Sequence, residues 1–189
     1  MKIYTKTGDA GETGLYGGER IAKDALRVQA YGAVDELNAS LGVVRSQLGD
    51  LEMDNHLEAI QNTLFAVGAD LATLMNSKYR EQLKPITEMD VKALEGLIDH
   101  YDEQLSDLKN FILPGGDPAA SALHLARTVT RRAERDVLSL EREEEINTQV
   151  KIYLNRLSDL LFVMARVVNM RMGVSEHKMH VKPRERKLS

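Results

Sequence analysis

The chain contains no cysteine and no tryptophan, and only three phenylalanines and four prolines. Without cysteine there is no disulfide, no thiolate nucleophile, no cysteine zinc site and no iron–sulfur cluster. That absence fits a cytoplasmic protein. No apolar run approaches the roughly 20 residues that a membrane-spanning helix requires. The N-terminal MKIYTKTGDAGETG lacks the apolar stretch of a secretory signal. An excess of positive charge is missing too. Against 25 Lys and Arg stand 29 Asp and Glu, a net charge of -4. A general nucleic-acid binder would be basic, although a local basic site for an anion is compatible with this balance. Neither a GxxxxGK[ST] phosphate loop nor a GxGxxG turn occurs, and there is no nucleophile elbow. His56, His100, His124, His177 and His180 form no Glu-x-x-His pair of the kind that di-iron bundles use. The histidines therefore do not support a metal enzyme.

What is present is helix. Charged residues make up 29% and hydrophobic residues 43% of the 189 positions, a globular balance. Apolar residues step by three and four in five stretches, the signature of amphipathic helices. The first holds Val34, Leu37, Leu41, Val44 and Leu48, and the second Leu57, Ile60, Leu64, Val67, Leu71 and Leu74. The third holds Val91, Leu94, Ile98, Tyr101 and Leu105, preceded by Thr87-Glu88-Met89-Asp90, a capping-box variant. The fourth opens on Asp117-Pro118, an N-cap followed by the position where a missing N–H costs nothing, and carries Ala122, Ala126, Val129, Ala133 and Val137. The fifth carries Val150, Leu154, Leu157, Leu161, Met164 and Val168, with Gly173 as its stop. Short links between them predict an all-α, five-helix up-and-down bundle, a single domain over residues 1–174. Gly32 and Gly42 interrupt the first helix, and close helix packing would explain them.

The two ends differ from the bundle. Residues 1–23 hold five of the 13 glycines, with Thr5, Thr7 and Thr13 interleaved. This is either an ordered ligand loop, where glycine lets backbone approach a ligand closely, or a frayed terminus. With Lys6 and Lys23 nearby it offers N–H groups, hydroxyls and ammonium groups to a polyphosphate. Residues 175–189 lose periodicity and turn basic, and a mobile tail is expected.

Three polar clusters interrupt the helices. Arg127, Arg131 and Arg135 recur every four residues and share one face of the fourth helix with Glu134. They are either a grip for phosphate oxygens or a solvated face with surface ion pairs. Asn155 and Asp159 lie one turn apart in the fifth helix. Asp35, Glu36 and Asn38 cluster in the first, where Asp35 can hold a metal, pair with an arginine, or face solvent.

TKTGDAGETGLYGGERIAKDALRVQAYGAVDELN, FILPGGDPAASALHLARTVTRRAER and YLNRLSDLLFVMAR together resemble, in order, the three signatures of the PduO-type ATP:cob(I)alamin (corrinoid) adenosyltransferases. The resemblance runs from residue 3 to about residue 171, with generic helix over residues 49–110. It implies a trimer that binds ATP at subunit interfaces and moves its 5′-deoxyadenosyl group to Co(I) of a corrinoid, with Mg²⁺ and a flavin-dependent reductase as partners. It implies ATP contacts at Thr5, Lys6, Thr7, Gly8, Thr13, Gly14 and Lys23, at Arg131, Arg132, Ala133, Glu134 and Arg135, and at Asn155. It implies a salt bridge between Asp35 and Arg127 of different subunits. Phe111 is implied as the aromatic that keeps the lower face of the corrin free of its base, and Phe111, Arg131 and Asn155 as catalytic. Many relatives carry Ser or Thr where this chain has Gly14, so a hydroxyl contact is lost there. The rival reading is a helical-bundle regulatory module that binds ATP without turnover.

Overall fold

The computed structural model describes residues 3, 4 and 6–179. Five helices carry the fold: α1 (Leu26–Gln47), α2 (Leu51–Leu71), α3 (Glu88–Asp102), α4 (Pro118–Glu141) and α5 (Thr148–Arg171). Their starts follow local chemistry. Asp50 accepts a hydrogen bond from the Met53 N–H at the head of α2, and Asn147 accepts from the Gln149 N–H at the head of α5. Asp117 accepts from the Ala119 N–H at 2.8 Å, with Pro118 as the first residue of α4. At α3 the Asp90 carboxylate accepts from both the N–H and the hydroxyl of Thr87, as the sequence predicts.

Neighbouring helices in the bundle are α1 with α2 and α4, and α5 with α4 and α3. The predicted apolar positions form the core. Leu37, Leu41, Leu57, Leu64, Leu154, Leu157 and Leu161 are buried, each worth about 1.5–3 kcal/mol against exposure. α5 is the most enclosed helix: Val163 to Asn169 are buried without a break. Burial on every side of the helix over this stretch places it inside the bundle.

α1 and α4 run antiparallel, tied by one ion pair midway along both helices and another between the start of α1 and the residues just after α4. Arg132 pairs with Glu36, and Arg27 pairs with Glu144 at 2.7 Å. Arg27 is 1% exposed and also donates to the Leu71 carbonyl, so its buried charge is fully partnered. Nearby, buried Asp70 accepts from Arg80 at 2.5 Å, from Asn147 at 2.6 Å and from the Ile86 N–H at 3.2 Å. This knot ties the end of α2 to the entries of α3 and α5.

Four features depart from the sequence reading. The N-terminal loop contains a hairpin, β1 (Glu12–Gly14) antiparallel to β2 (Arg20–Ala22), with Thr13 opposite Ile21. The links into α3 and α4 are long, the first holding a 3-10 turn at Lys78–Gln82. Gly32 and Gly42 are exposed; a Cβ at Gly32 would meet open space and one at Gly42 only an ordinary contact with the Gln61 side chain at 3.7 Å. Close packing within the chain therefore does not account for them. Finally, the tail is attached as far as Met179. Ile112 bridges Lys178, the Leu113 N–H donates to the His177 carbonyl, and the Met179 N–H donates to the Phe111 carbonyl, both at 2.8 Å. Within the segment expected to be mobile, Ser175–Met179 makes this backbone pairing and the Glu176–Arg166 ion pair. Residues 180–189 lie outside the described residues. No helix among the described residues is long and apolar enough to cross a membrane.

Candidate active site

The glycine-rich loop is ordered by its own backbone. The Gly11 N–H donates to the Gly8 carbonyl, and the Lys23 N–H donates to the Gly11 carbonyl. Arg20 closes the hairpin from outside by donating to the Thr7 carbonyl at 2.7 Å and to the Glu12 carboxylate at 3.2 Å. The Tyr16 N–H donates to the Ala72 carbonyl and so anchors the loop on the end of α2. Within this frame the Lys23 side chain lies against Gly8. A Cβ there would stand 3.0 Å from Nζ and 3.2 Å from Cε. Glycine at position 8 thus leaves room for the ammonium group beside the Thr7-Gly8 backbone. Lys6 takes φ +61, alone in that region among the described non-glycine residues. Left-handed backbone costs an L-residue roughly 1–2 kcal/mol, and such strain collects at ligand sites. Thr5 lies outside the described residues. Thr13 and Gly14 sit in β1, and Gly14 is exposed with open space where a Cβ would be.

The arginine stripe is split by its neighbours. Arg131 and Arg135 are exposed on α4. Arg132, one residue round the helix, turns toward α1 and its guanidinium pairs with Glu36. Glu134 faces α5, where the Asn155 side-chain N–H donates to it at 3.0 Å. Arg156 in turn donates to the Asn155 oxygen at 3.3 Å, to Glu95 at 2.8 Å, and lies 3.7 Å from Asp159. Asn155 is therefore held at both ends of its amide. Ala133 is fully buried in the core, so its side chain packs the bundle. Its place in the RRAER segment follows from being the inward residue between outward ones.

Asp35 and Arg127 do not meet within the chain. Asp35 is exposed and lines a cleft of about 350 Å³ between α1 and α2, beside Tyr16, Gly32, Phe65 and Gly68. Phe65 is 71% exposed there. Arg127 lies on α4, half-buried, with its Nε buried and without a hydrogen-bond partner among the described residues. Burial and then the Arg131 charge push its guanidinium below the usual arginine range. One turn earlier, His124 is buried, and neither ring nitrogen has a hydrogen-bond partner among the described residues. Burial, with Arg127 second, lowers its pKa. Lys6 and Lys23 likewise pair with no residue of α4 among the described residues. The loop lysines and the arginine stripe are thus two clusters that one chain does not join.

Phe111 stands apart from both, 81% exposed on the link into α4. Residues opposite or two apart in a strand share a face, so the bridge to the tail groups Phe111 with Leu113, His177 and Met179. Sequence reasoning passed over the residues that hold this link. Asn169 accepts from the Asp117 N–H and donates to the Gly115 carbonyl, and Arg166 pairs with Glu176. The available signal was a cation and an amide inside the apolar run LFVMARVVNM.

The family model described as cobalamin adenosyltransferase matches residues 3–168. A corrinoid adenosyltransferase of Bacillus subtilis is 49% identical over 180 residues, covering 93% of this chain and 91% of that one. One of Citrobacter freundii is 47% identical over 167 residues, covering 88% and 94%. Among solved structures, a Phe→Ala variant of the Lactobacillus reuteri PduO-type ATP:corrinoid adenosyltransferase, complexed with cobalamin and ATP, superposes with a TM-score of 0.91 at 44% identity. It covers 95% of this chain and 100% of that one. Likeness that begins in the glycine loop, passes through the arginine stripe and ends in α5 is likeness of the whole architecture, and the chain belongs to the cobalamin adenosyltransferase family.

Proposed function

We propose that the protein transfers the 5′-deoxyadenosyl group of ATP to the Co(I) centre of a corrinoid, releasing inorganic triphosphate. The observation that carries this reading is the end-to-end likeness to an enzyme complexed with both cobalamin and ATP. The chemistry suits a chain without cysteine, because Co(I) is itself the nucleophile. Its electron pair forms the Co–C5′ bond while the C5′–O5′ bond breaks, and that bond's electrons leave with the triphosphate. The protein must hold C5′ over cobalt and stabilise the departing charge. Lys6 and Lys23, the Thr7-Gly8 backbone, Thr13 and Gly14 are assigned to one side of the nucleotide. Arg131, Arg132 and Arg135 are assigned to the other, with Glu134 oriented by Asn155. Magnesium would enter on the ATP phosphates. No group of three or more His, Asp or Glu among the described residues is arranged to hold a metal, so no step is given to it here.

A single chain leaves the two cationic clusters apart, which supports a site built between subunits. A homotrimer closed by Asp35 of one subunit on Arg127 of the next would give the buried Arg127 Nε its partner. It would also cover Phe65 and the exposed glycine face of α1. Phe111 is read as an apolar wedge on the lower face of the corrin, which makes Co(II) easier to reduce by excluding a fifth ligand. A reductase, flavin-dependent in the resemblance, supplies that electron in the cytoplasm. Anaerobic incubation with ATP and chemically reduced cob(I)alamin should produce the adenosylcobalamin spectrum and one triphosphate per corrinoid. ATP binding with no adenosylcobalamin would favour a regulatory module instead.

A further inference from the structure

The link that bears Phe111 has no helix or sheet of its own. Residues 103–117 join α3 to α4, and an exposed ring on such a link has no fixed position unless something outside holds it. Two polar clamps from α5 grip it, one on each side of Phe111. On the C-terminal side, the buried Asn169 amide is used at both ends. Its oxygen accepts from the Asp117 N–H at 2.9 Å and its nitrogen donates to the Gly115 carbonyl at 3.0 Å. Gly116 packs so closely on it that a Cβ would stand 2.2 Å from the Asn169 oxygen.

On the N-terminal side, one turn back along α5, the Arg166 side chain is 6% exposed. Its Nη2 donates to the Ser106 carbonyl at 3.0 Å, within the link itself. Its Nε donates to the Glu176 carboxylate at 3.1 Å. Glu176 lies immediately before His177, and the chain then runs antiparallel to Phe111–Leu113 through the two backbone bonds at His177 and Met179. The Val174 N–H, bonded to the Asn169 carbonyl at 2.8 Å, starts this strap at the end of α5. One buried guanidinium therefore binds the beginning of the link and the strap that holds its middle. A buried charge that reaches two separated segments fixes their spacing, because moving either leaves it unpaired in a low-dielectric setting.

We propose that Arg166 and Glu176 are positioning residues for Phe111: they lock the Val174–Met179 strap against the link and so set where the ring meets the corrin. This rests on the wedge reading of Phe111. Loosening the strap should leave ATP binding and the cob(I) reaction largely intact, since the lysine loop and arginine stripe are elsewhere. It should harm the step that needs a corrin without a lower ligand.

The test compares full-length E176A, M179P and F111A with the unaltered protein. E176A frees the strap from Arg166. M179P deletes the N–H that donates to the Phe111 carbonyl, so it tests the same strap by a different bond, and M179A, which keeps that N–H, controls for the lost side chain. Electron paramagnetic resonance of cob(II)alamin with ATP bound reports the four-coordinate fraction. Turnover is measured from cob(II)alamin with a reductant and from pre-reduced cob(I)alamin. For both strap variants we expect the four-coordinate fraction to fall by half or more and cob(II) turnover to fall about tenfold. Cob(I) turnover should stay within about threefold and the ATP Kd within about twofold. E176Q, which keeps the shape and an acceptor oxygen, should fall between. A strap that only added stability would lower the melting temperature without moving the cobalt signal. If F111A loses the signal while E176A and M179P keep it, the strap proposal is wrong and the wedge stands. If F111A also keeps it, the wedge reading itself fails and takes the proposal with it.

Discussion

Replacing Gly116 by alanine probes the link that carries Phe111 through one atom. Gly116 has φ +110, where a side chain costs about 1–3 kcal/mol in backbone strain. The new methyl would also lie 2.2 Å from the Asn169 oxygen and 2.7 Å from its Cγ and Nδ2. Asn169 is 2% exposed and cannot swing into solvent. It must shift at the expense of its bonds to Asp117 and Gly115, each worth roughly 0.5–1.5 kcal/mol. The sum is about 4 kcal/mol. For a chain of this length that corresponds to a fall in Tm of about 8–16 °C at fixed protein concentration. Gly115→Ala is the control. Its φ is +153 but the space around a Cβ is open, so only the backbone strain applies. Thermal melts followed by circular dichroism should therefore rank the unaltered protein above G115A, and G115A well above G116A. If G116A melts with G115A, the Asn169 clamp contributes nothing and the account of the link is wrong.

Arg131→Ala should weaken ATP binding by about 10- to 150-fold, the loss of a charged hydrogen bond of roughly 1.5–3 kcal/mol, with an unchanged melt because the side chain is exposed. Equilibrium dialysis with ATP checks it, and an unaltered Kd would return Arg131 to the solvated face. Gly14→Ser should fold normally, since nothing crowds the site, and tighten ATP by roughly 2- to 12-fold if the hydroxyl contact is regained, worth about 0.5–1.5 kcal/mol. Equal Kd values would remove position 14 from the nucleotide site. His124 sets a pH dependence. Its folded pKa lies below the ordinary value of 6.5, so below that pH the unfolded chain takes a proton that the folded chain refuses. Stability is then full above pH 6.5 and declines as pH falls, by at most about 1.4 kcal/mol per pH unit. Urea melts between pH 7 and pH 5 should show this slope in the unaltered protein and a flatter one in H124L, and parallel slopes would refute it.

How much of this was written in the sequence depends on the range of the interaction. The helix faces were legible because a 3.6-residue period is a local property: Leu57, Ile60, Leu64, Val67 and Leu71 define one side of α2 whatever packs against it. The caps at Asp117-Pro118 and Thr87–Asp90 were legible for the same reason, since each bond closes within three residues. The loop lysines, the arginine stripe and Phe111 were legible as motifs, read through resemblance. The hairpin at Glu12–Gly14 was not, because three residues with one glycine carry no alternation. That Ala133 faces into the bundle between outward-facing neighbours was decided by the fold. The order of the tail to Met179, the chain Arg156–Asn155–Glu134, and the double use of Asn169 were decided by tertiary structure alone. Apart from the bond between the neighbours Arg156 and Asn155, these contacts join residues 10 to more than 60 positions apart. A polar side chain does not announce its partner in advance: only folding brings the two together, and burial then makes the bond count.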